Sequence, residues 1–316
     1  MSEVSVVIGC MGQDGSYLCR SLLKKGNSVV GITKDRVKSS GNHIKLGIEG
    51  QLKIYNADVC NNKEIDNIFH HCQPNEIYNL AAQSSVGLSF TQPRETFQSI
   101  IDGTLNLLEI SRKNNYKGNL FFAGSSEIFG ETSTRANLYH QTNPSSPYGI
   151  AKETSFKMVK FYREIYRLNA CTGILFNHES PLRPKNYVTQ KIIKGALEAS
   201  KNKKHKIKFG NLKIARDWGW AEEYIEAMQK IMKAQKIQDQ VICTGELTSL
   251  REFIDFTFQY FDLNWEEHIE VDTSLFREGE ILESVGDPVP MFNEIGWKAK
   301  IKSKQVIEKL IQEAQY

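Results

Sequence analysis

Tyr148 and Lys152 stand four residues apart in Tyr148-Gly-Ile-Ala-Lys152. On a helix this spacing places both side chains on one face. A lysine ammonium there lowers the tyrosine pKa and holds a cofactor ribose. The tyrosinate can then take a proton from an alcohol as its hydride leaves. A solvated helix pair is the plain alternative for an isolated match. Position favours chemistry, because the pair lies between the fifth and sixth short apolar runs of the chain. The fifth run ends in Ala123-Gly124-Ser125-Ser126-Glu127. A hydroxyl at that place can hydrogen-bond the same alcohol, so Ser125, Tyr148 and Lys152 form a candidate proton-transfer triad. Glu127 adds what simple dehydrogenation does not need: a carboxylate able to remove a proton from carbon beside a ketone. Its plain alternative is a surface acid on the following loop.

Near the N-terminus, Gly9-Cys-Met-Gly12-Gln-Asp-Gly15 follows the β-branched run Val4–Ile8, and Leu18, Leu22 and Leu23 continue at helical spacing. A strand, a glycine turn and a helix can bring backbone N–H groups and the positive helix end to a pyrophosphate. Larger side chains would block that approach. Gly9, Gly12, Gln13, Asp14 and Gly15 are therefore candidates for dinucleotide binding, against a simple strand-to-helix turn. At the end of the second strand, NAD sites often place an acid on the ribose hydroxyls. Here the chain reads Ile32-Thr33-Lys34-Asp35-Arg36. Lys34 and Arg36 favour the extra phosphate of NADP, and the adjoining Asp35 keeps NAD open. Asp58, after the third run, can reach the adenine or cap the next helix.

These residues need a scaffold that places them together. Val4–Ile8, Ser28–Ile32, Leu52–Tyr55, Glu76–Leu80, Asn119–Ala123 and Thr172–Phe176 are compact apolar runs. Helical periodicity fills the stretches between, as in Tyr17–Lys25 and Phe97–Arg112. The alternation predicts an α/β fold with a doubly wound parallel sheet. After residue 177 the rhythm changes. Helices are expected over Ala221–Ala234, Leu250–Phe261 and Ser303–Ala314, in a smaller C-terminal subdomain. The division expected is 1–176 for the dinucleotide domain and 177–316 mainly for substrate, with the chain free to cross back to the sheet.

The 40 basic and 37 acidic residues leave a net charge of +3, too balanced to argue for nucleic acid. The six cysteines form no CxxC pair, so neither a zinc site nor a disulfide framework is suggested. Free thiols in a reducing, cytoplasmic setting fit better. No apolar stretch reaches the ~18 residues of a membrane span, and no signal peptide is expected.

The chain resembles the GDP-mannose 4,6-dehydratase family of extended short-chain dehydrogenases, which have a Rossmann-like fold. The resemblance is carried by Gly12-Gln-Asp-Gly-Ser-Tyr-Leu18, Tyr78-Asn-Leu-Ala-Ala-Gln-Ser84, Ser125-Ser-Glu-Ile-Phe-Gly130 and Tyr148–Lys152. It continues through Phe176-Asn-His-Glu-Ser-Pro181, Tyr187-Val-Thr-Gln-Lys191, Gly210-Asn211, Arg216-Asp-Trp-Gly219, Arg277-Glu-Gly-Glu280 and Gly286-Asp-Pro288. The resemblance implies a 4,6-dehydration. Tyr148, with Ser125 and Lys152, would deprotonate the C4 hydroxyl while hydride passes to NADP. Glu127 would take the C5 proton, the C6 hydroxyl would leave as water, and hydride would return to C6. It also implies that Leu80, Ala81, Ala82 and His178 border the cofactor, His178 as a shaping residue. Ser84, Ser85, Asn177, Lys191, Arg216, Arg277 and Glu280 would face a GDP-sugar. Surface salt bridging is the other reading of the arginines. A homodimer or homotetramer is implied, and no metal.

Some positions depart from the family pattern. Ser125 replaces a threonine, Ser85 a histidine and Gln190 an arginine, and the loop after the second strand is shorter. A differently substituted GDP-sugar stays open. So do an epimerase, a reductase or a C4 dehydrogenase with the same Tyr/Lys chemistry, and a non-catalytic cofactor-binding module.

Overall fold

Val6, Val7 and Ile8 are all fully buried, so the first strand, β1 (Val4–Ile8), must be covered on both faces. β2 (Ser28–Thr33), β4 (Glu76–Asn79), β5 (Asn119–Ala123) and β6 (Ala170–Leu175) are buried along most of their length too, while β3 (Lys53–Asn56), at the sheet edge, is half-buried to exposed. The computed structural model describes residues 2–34, 41–132 and 134–315. With a later strand, β10 (Gln240–Ile242), these strands form a seven-stranded sheet in the order β10-β6-β5-β4-β1-β2-β3. Every pairing in it is parallel.

Alternation along the strands builds two cores. Val7, Tyr78 and Phe121 face the helices Gln13–Lys24 and Ala221–Met232 through Leu18, Leu22, Tyr224 and Met228. Val6, Ile77 and Leu120 face Asn62–Cys72, Gly103–Lys113 and Pro147–Ile165 through Ile65, Leu107 and Val159. The sheet is therefore doubly wound, as its strand–helix alternation requires.

Two details differ from the expected elements. The helix expected over Phe97–Arg112 begins at Pro93 and widens into one π turn over Gln98–Asp102 before Gly103–Lys113. Ser155 Oγ donates to the Ile100 carbonyl in that turn at 3.2 Å. The seventh strand, β10, was not expected, because three residues carry no readable period.

After β6 the chain leaves the main sheet. β7 (Asn177–Glu179) pairs in parallel with β9 (Ala215–Trp220). β9 also pairs with β11 (Leu247–Ser249) and β13 (Glu283–Ser284), while β8 (Ile207–Phe209) pairs with β12 (Ile269–Val271). A third core of Ile192, Phe209, Trp218, Phe253 and Leu310 supports this smaller layer. The cleft between the layers opens at the carboxyl ends of β1, β4, β5 and β6, where open α/β sheets bind ligands. Among the described residues, no helix is long and apolar enough to cross a membrane.

The glycine turn sets a sharp packing limit. A Cβ on Gly15 would lie 2.1 Å from the Gly9 carbonyl oxygen and 2.8 Å from Cys10 Cα, both backbone atoms. Gly15→Ala is expected to cost about 1–3 kcal/mol through this overpacking. Gly41→Ala, which points into open space, should be close to neutral. Thermal unfolding of the two variants against the wild type checks the contrast.

Candidate active site

Ser125 follows β5 directly, and its Oγ accepts from Glu127 N at 3.3 Å. Tyr148 lies in the first turn of Pro147–Ile165, where Ser146 Oγ caps Gly149 N at 3.0 Å and Pro147 suits the opening position. The Ser125 side chain stands close enough to Tyr148 to favour its charged form, and both border the cleft. Lys152 lies one turn further on, 5.7 Å from the Tyr148 ring centroid, and donates from Nζ to the Ala123 carbonyl at 2.7 Å. Burial lowers Lys152 to about 8. Burial also raises Tyr148, more than Ser125 lowers it. The expected lowering of the tyrosine is thus absent in this arrangement: the ammonium is turned to a backbone carbonyl and the phenol is buried.

Glu127 sits on the short turn Ser126–Ile128 at the cleft wall. Burial raises its pKa, Arg216 and Arg277 oppose that rise, and Glu280 adds to it. The structure thus gathers Glu127, Arg216, Arg277 and Glu280 into one charged group. Arg216 is buried rather than a surface salt bridge, and its Nη1 donates to the carbonyls of Ala215 at 2.9 Å and Leu282 at 3.3 Å. Arg277 is exposed and packs near Gly87, whose added Cβ would lie 3.7 Å from the guanidinium Nε. Ser85 borders the cleft, but its Oγ caps the helix Val86–Thr91 by accepting from Leu88 N at 3.2 Å. Ser84 Oγ lies 2.8 Å from the Tyr187 hydroxyl.

At the other end, Gly9 adopts φ +86°, and an added Cβ there would lie 2.9 Å from the Ala81 nitrogen. This lets the turn lie against Leu80 and Ala81 at the end of β4; Leu80 and Ala82 border the cleft. Gly12 opens the helix Gln13–Lys24 without a side-chain cap, and a Cβ there would meet only the Gly9 oxygen, at 3.5 Å. An uncapped helix N-terminus beside an open approach fits the pyrophosphate of a dinucleotide.

The Gln13 and Asp14 side chains do something else. Gln13 Nε2 donates to the His178 carbonyl at 3.3 Å, and Gln13 Oε1 accepts from Ser180 Oγ at 2.8 Å. Asp14 Oδ2 pairs with His178 Nε2 at 2.9 Å, and His178 Nδ1 lies 2.8 Å from the Phe176 carbonyl. These side chains anchor the helix start to β7, although Asp14 still borders the cleft. Burial would raise Asp14, but His178 and the hydrogen bonds carry it down to about 2. Burial would lower His178, but Asp14 raises it above 6.5.

Other expected residues stand further away. Lys191 Nζ is held by the Lys208 carbonyl at 2.5 Å, above the Phe209 ring, so it does not border the cleft. Asp58 does not cap the next helix, which Asn61 caps; its carboxylate accepts from Cys60 N at 2.9 Å. Lys34 is exposed at the end of β2, and Arg36 lies outside the described residues. Asn177 borders the cleft as expected. Arg183 and Tyr187 also border it, with the Arg183 guanidinium 4.1 Å over the Tyr187 ring. Both lie in a polar, proline-punctuated loop whose sequence has no period to orient them.

The family model for GDP-mannose 4,6 dehydratase matches residues 6–310. The chain belongs to the GDP-mannose 4,6-dehydratase family. A relative from Arabidopsis thaliana, GDP-mannose 4,6 dehydratase 1, is 36% identical over 98% of this chain and 89% of its own length. The human GDP-mannose 4,6 dehydratase is 32% identical over 98% of this chain and 90% of its own. Among solved structures, the Thermus thermophilus UDP-glucose 4-epimerase complex with NAD superposes with TM-score 0.88 at 20% identity, covering 99% of both chains. A Bacillus anthracis dTDP-glucose 4,6-dehydratase in complex with NAD gives TM-score 0.86 at 17% identity, covering 99% of this chain and 97% of its own. At these identities the structural likeness shows the fold shared by this dehydratase-family chain.

The Asp14–His178 pair gives a pH signature. His178 is raised above 6.5 in the folded chain. Its contribution is therefore full below 6.5 and is lost as pH rises through the folded value. Asp14 contributes above its ordinary 3.8 and loses that only as pH falls toward about 2. The melting temperature of the wild type should decline as pH rises above 6.5. In Asp14→Asn that decline should be much reduced, because His178 no longer has a carboxylate to keep it charged. Differential scanning fluorimetry across pH 6 to 9 (roughly the window set by the raised histidine) measures both.

Proposed function

We propose that the protein is a GDP-sugar 4,6-dehydratase, with GDP-mannose the leading substrate and NADP the preferred dinucleotide. The observation that carries this reading is the position of Glu127. Its carboxylate lies beside the Ser125, Tyr148 and Lys152 set and faces two arginines across the cleft. An epimerase or a C4 dehydrogenase needs no such base.

Gly9, Gly12 and Gly15 would shape the pyrophosphate site, with Leu80, Ala81 and Ala82 beside it and Lys152 at the ribose. Lys34, at the end of β2, supports the extra phosphate of NADP, while NAD remains the coarser alternative. When bound, the dinucleotide supplies a hydride acceptor for C4 and a hydride donor for C6, so the sugar's net change is loss of one water. Ser125 and Tyr148 hold the C4 hydroxyl, and Tyr148 takes its proton. An ammonium within about 4–6 Å favours the phenolate, and Lys152 is the cation placed to act when its Nζ leaves the Ala123 carbonyl. A ketone at C4 acidifies the C5 proton. Glu127, raised by burial, is a stronger base than an exposed glutamate and takes that proton as the C6 hydroxyl departs. Arg216 and Arg277 suit a pyrophosphate, and Glu280 suits ribose hydroxyls.

We also propose a homodimer, supported by an exposed apolar face. Leu88, Phe90, Leu105, Ile150, Phe161 and Ile165 are all more than a third exposed, on helices that follow β4 and β5. A contiguous apolar patch on a folded chain is normally covered, and neighbouring helices that each expose large apolar side chains are where one would form. Phe161→Glu should turn the dimer into monomer in analytical ultracentrifugation.

The central test is a panel of GDP-sugars incubated with the pure protein, followed by product mass. Loss of one water from GDP-mannose or a related GDP-hexose or GDP-heptose is expected. Glu127→Gln should reduce elimination by roughly 100-fold or more, while still reducing the dinucleotide in the presence of sugar. The acid limb of the wild-type kcat profile should lie above 4.5, because Glu127 is raised from that value. Full dehydration by Glu127→Gln would rule out the proposed base.

A further inference from the structure

Glu131 lies just beyond the turn that carries Glu127. Between them Gly130 takes φ +65°, and a Cβ there would lie 2.1 Å from the Asn143 carbonyl oxygen. Asn143 N in turn donates to the Ile128 carbonyl at 2.9 Å. The short path from Glu127 to Glu131 is thus pinned on both sides. The Glu131 carboxylate reaches across to another part of the chain. It accepts from Leu282 N at 2.6 Å and from Glu283 N at 3.0 Å, one oxygen to each.

The opposite side of the same peptide is also gripped. The Leu282 carbonyl accepts from Ala215 N at 2.7 Å and from Arg216 Nη1 at 3.3 Å. Leu282 therefore links Glu131, four residues beyond Glu127, to Arg216 at the cleft. Upstream, Ser145 Oγ donates to the Gly279 carbonyl at 2.7 Å. Downstream, Ala136 N donates to Val285 O at 2.9 Å, and Asp287 N to Ala136 O at 2.8 Å. The ladder of β13 with β9 covers only Glu283 and Ser284. Arg277 and Glu280 stand on the leading end of this strap, before its short ladder begins.

We propose that Glu131 is a positioning residue, a latch whose carboxylate fixes the strap 277–283 and so sets where Arg277 and Glu280 stand against Glu127. The inference rests on the reading that Arg277 and Glu280 hold the nucleotide. Charged acceptors make stronger hydrogen bonds than neutral ones. Because Glu131 is exposed, its removal leaves two N–H groups that water can reach. The fold should therefore tolerate the change, while the strap loses its register. Arg216 keeps its bond to the Ala215 carbonyl, but its second partner, Leu282, belongs to the strap and Glu131 is one of the charges around it, so the change reaches Arg216 as well.

Glu131→Ala and Glu131→Gln in the full chain provide the test. Glu131→Ala should raise KM for GDP-mannose and weaken calorimetric binding of GDP by about tenfold. The plateau kcat should stay within about twofold, since the reacting groups are untouched. Glu131→Gln should recover part of the loss, because its amide oxygen still accepts one bond. Backbone amides of Leu282 and Glu283 should exchange with deuterium faster in Glu131→Ala. Unchanged exchange at these amides overturns the latch, and so does an unchanged KM with unchanged GDP affinity. A loss confined to kcat also overturns it, because that would place Glu131 in the chemistry. If the wild type neither binds GDP nor dehydrates a GDP-sugar, the substrate reading fails, and amide exchange alone decides the latch.

Discussion

The cleft depends on one buried contact between its two sides, the Asp14–His178 pair. After β6 the chain must leave a fully buried sheet and enter a separate ladder with β9 within a few residues. Such a crossing would expose backbone polar groups to a dry interior unless they found partners. The first turn of the helix Gln13–Lys24 supplies them. Gln13 takes the His178 carbonyl and the Ser180 hydroxyl, and Asp14 takes the imidazole. The His178 ring then stacks on Tyr224 at 4.5 Å, which ties in the helix Ala221–Met232. Removing one member of a buried pair costs about 3–5 kcal/mol, because the other charge is left without compensation. The same contact leaves the helix N-terminus uncapped by side chains. The glycine turn and β7, which border the same cleft, are therefore held in one register.

The charge balance around Glu127 follows from that register. β9 brings Arg216 in from one side, and the strap at 277–283 brings Arg277 and Glu280 from the other. Burial raises the carboxylate, and the two guanidiniums oppose it. On the proposed reading, a pyrophosphate engaging both guanidiniums removes much of that opposition. Glu127 would then be a stronger base with the nucleotide in place than without it. Proton removal from carbon is thereby favoured when the substrate is bound, and the carboxylate is quieter when the cleft is open.

The doubly wound sheet was legible because its strands are buried on both faces. Uninterrupted β-branched and aromatic runs such as Val4–Ile8 and Asn119–Ala123 need no tertiary information to be recognised. The glycine turn and the Ser125, Tyr148 and Lys152 set were legible for a related reason: each sits at the end of such a run or at helical spacing. β10 was not legible, since Gln240–Ile242 becomes a strand only because β6 offers an open edge. Arg183 and Tyr187 were not singled out as site residues because the place of their loop at the cleft depends on contacts far along the chain, such as that of Tyr187 with Ser84.

Side-chain direction was the least legible property. Gln13 and Asp14 lie in the glycine turn, yet their side chains point to β7. Lys191 lies in a matching motif, yet the Lys208 carbonyl and the Phe209 ring hold its ammonium back from the cleft. Ser85 borders the cleft, yet its hydroxyl caps a helix. In each case the residue has a backbone place set by the family's chain path and a side chain claimed by the nearest unsatisfied polar group. A buried or half-buried polar group left unpaired costs about 1–3 kcal/mol. Before a ligand arrives, such local claims decide which way each side chain turns. Of the predicted substrate residues, Ser84 and Arg277 lie exposed at the cleft. On the proposed reading, the exposure of Arg277 makes the strap that carries it the part of the nucleotide site most open to adjustment.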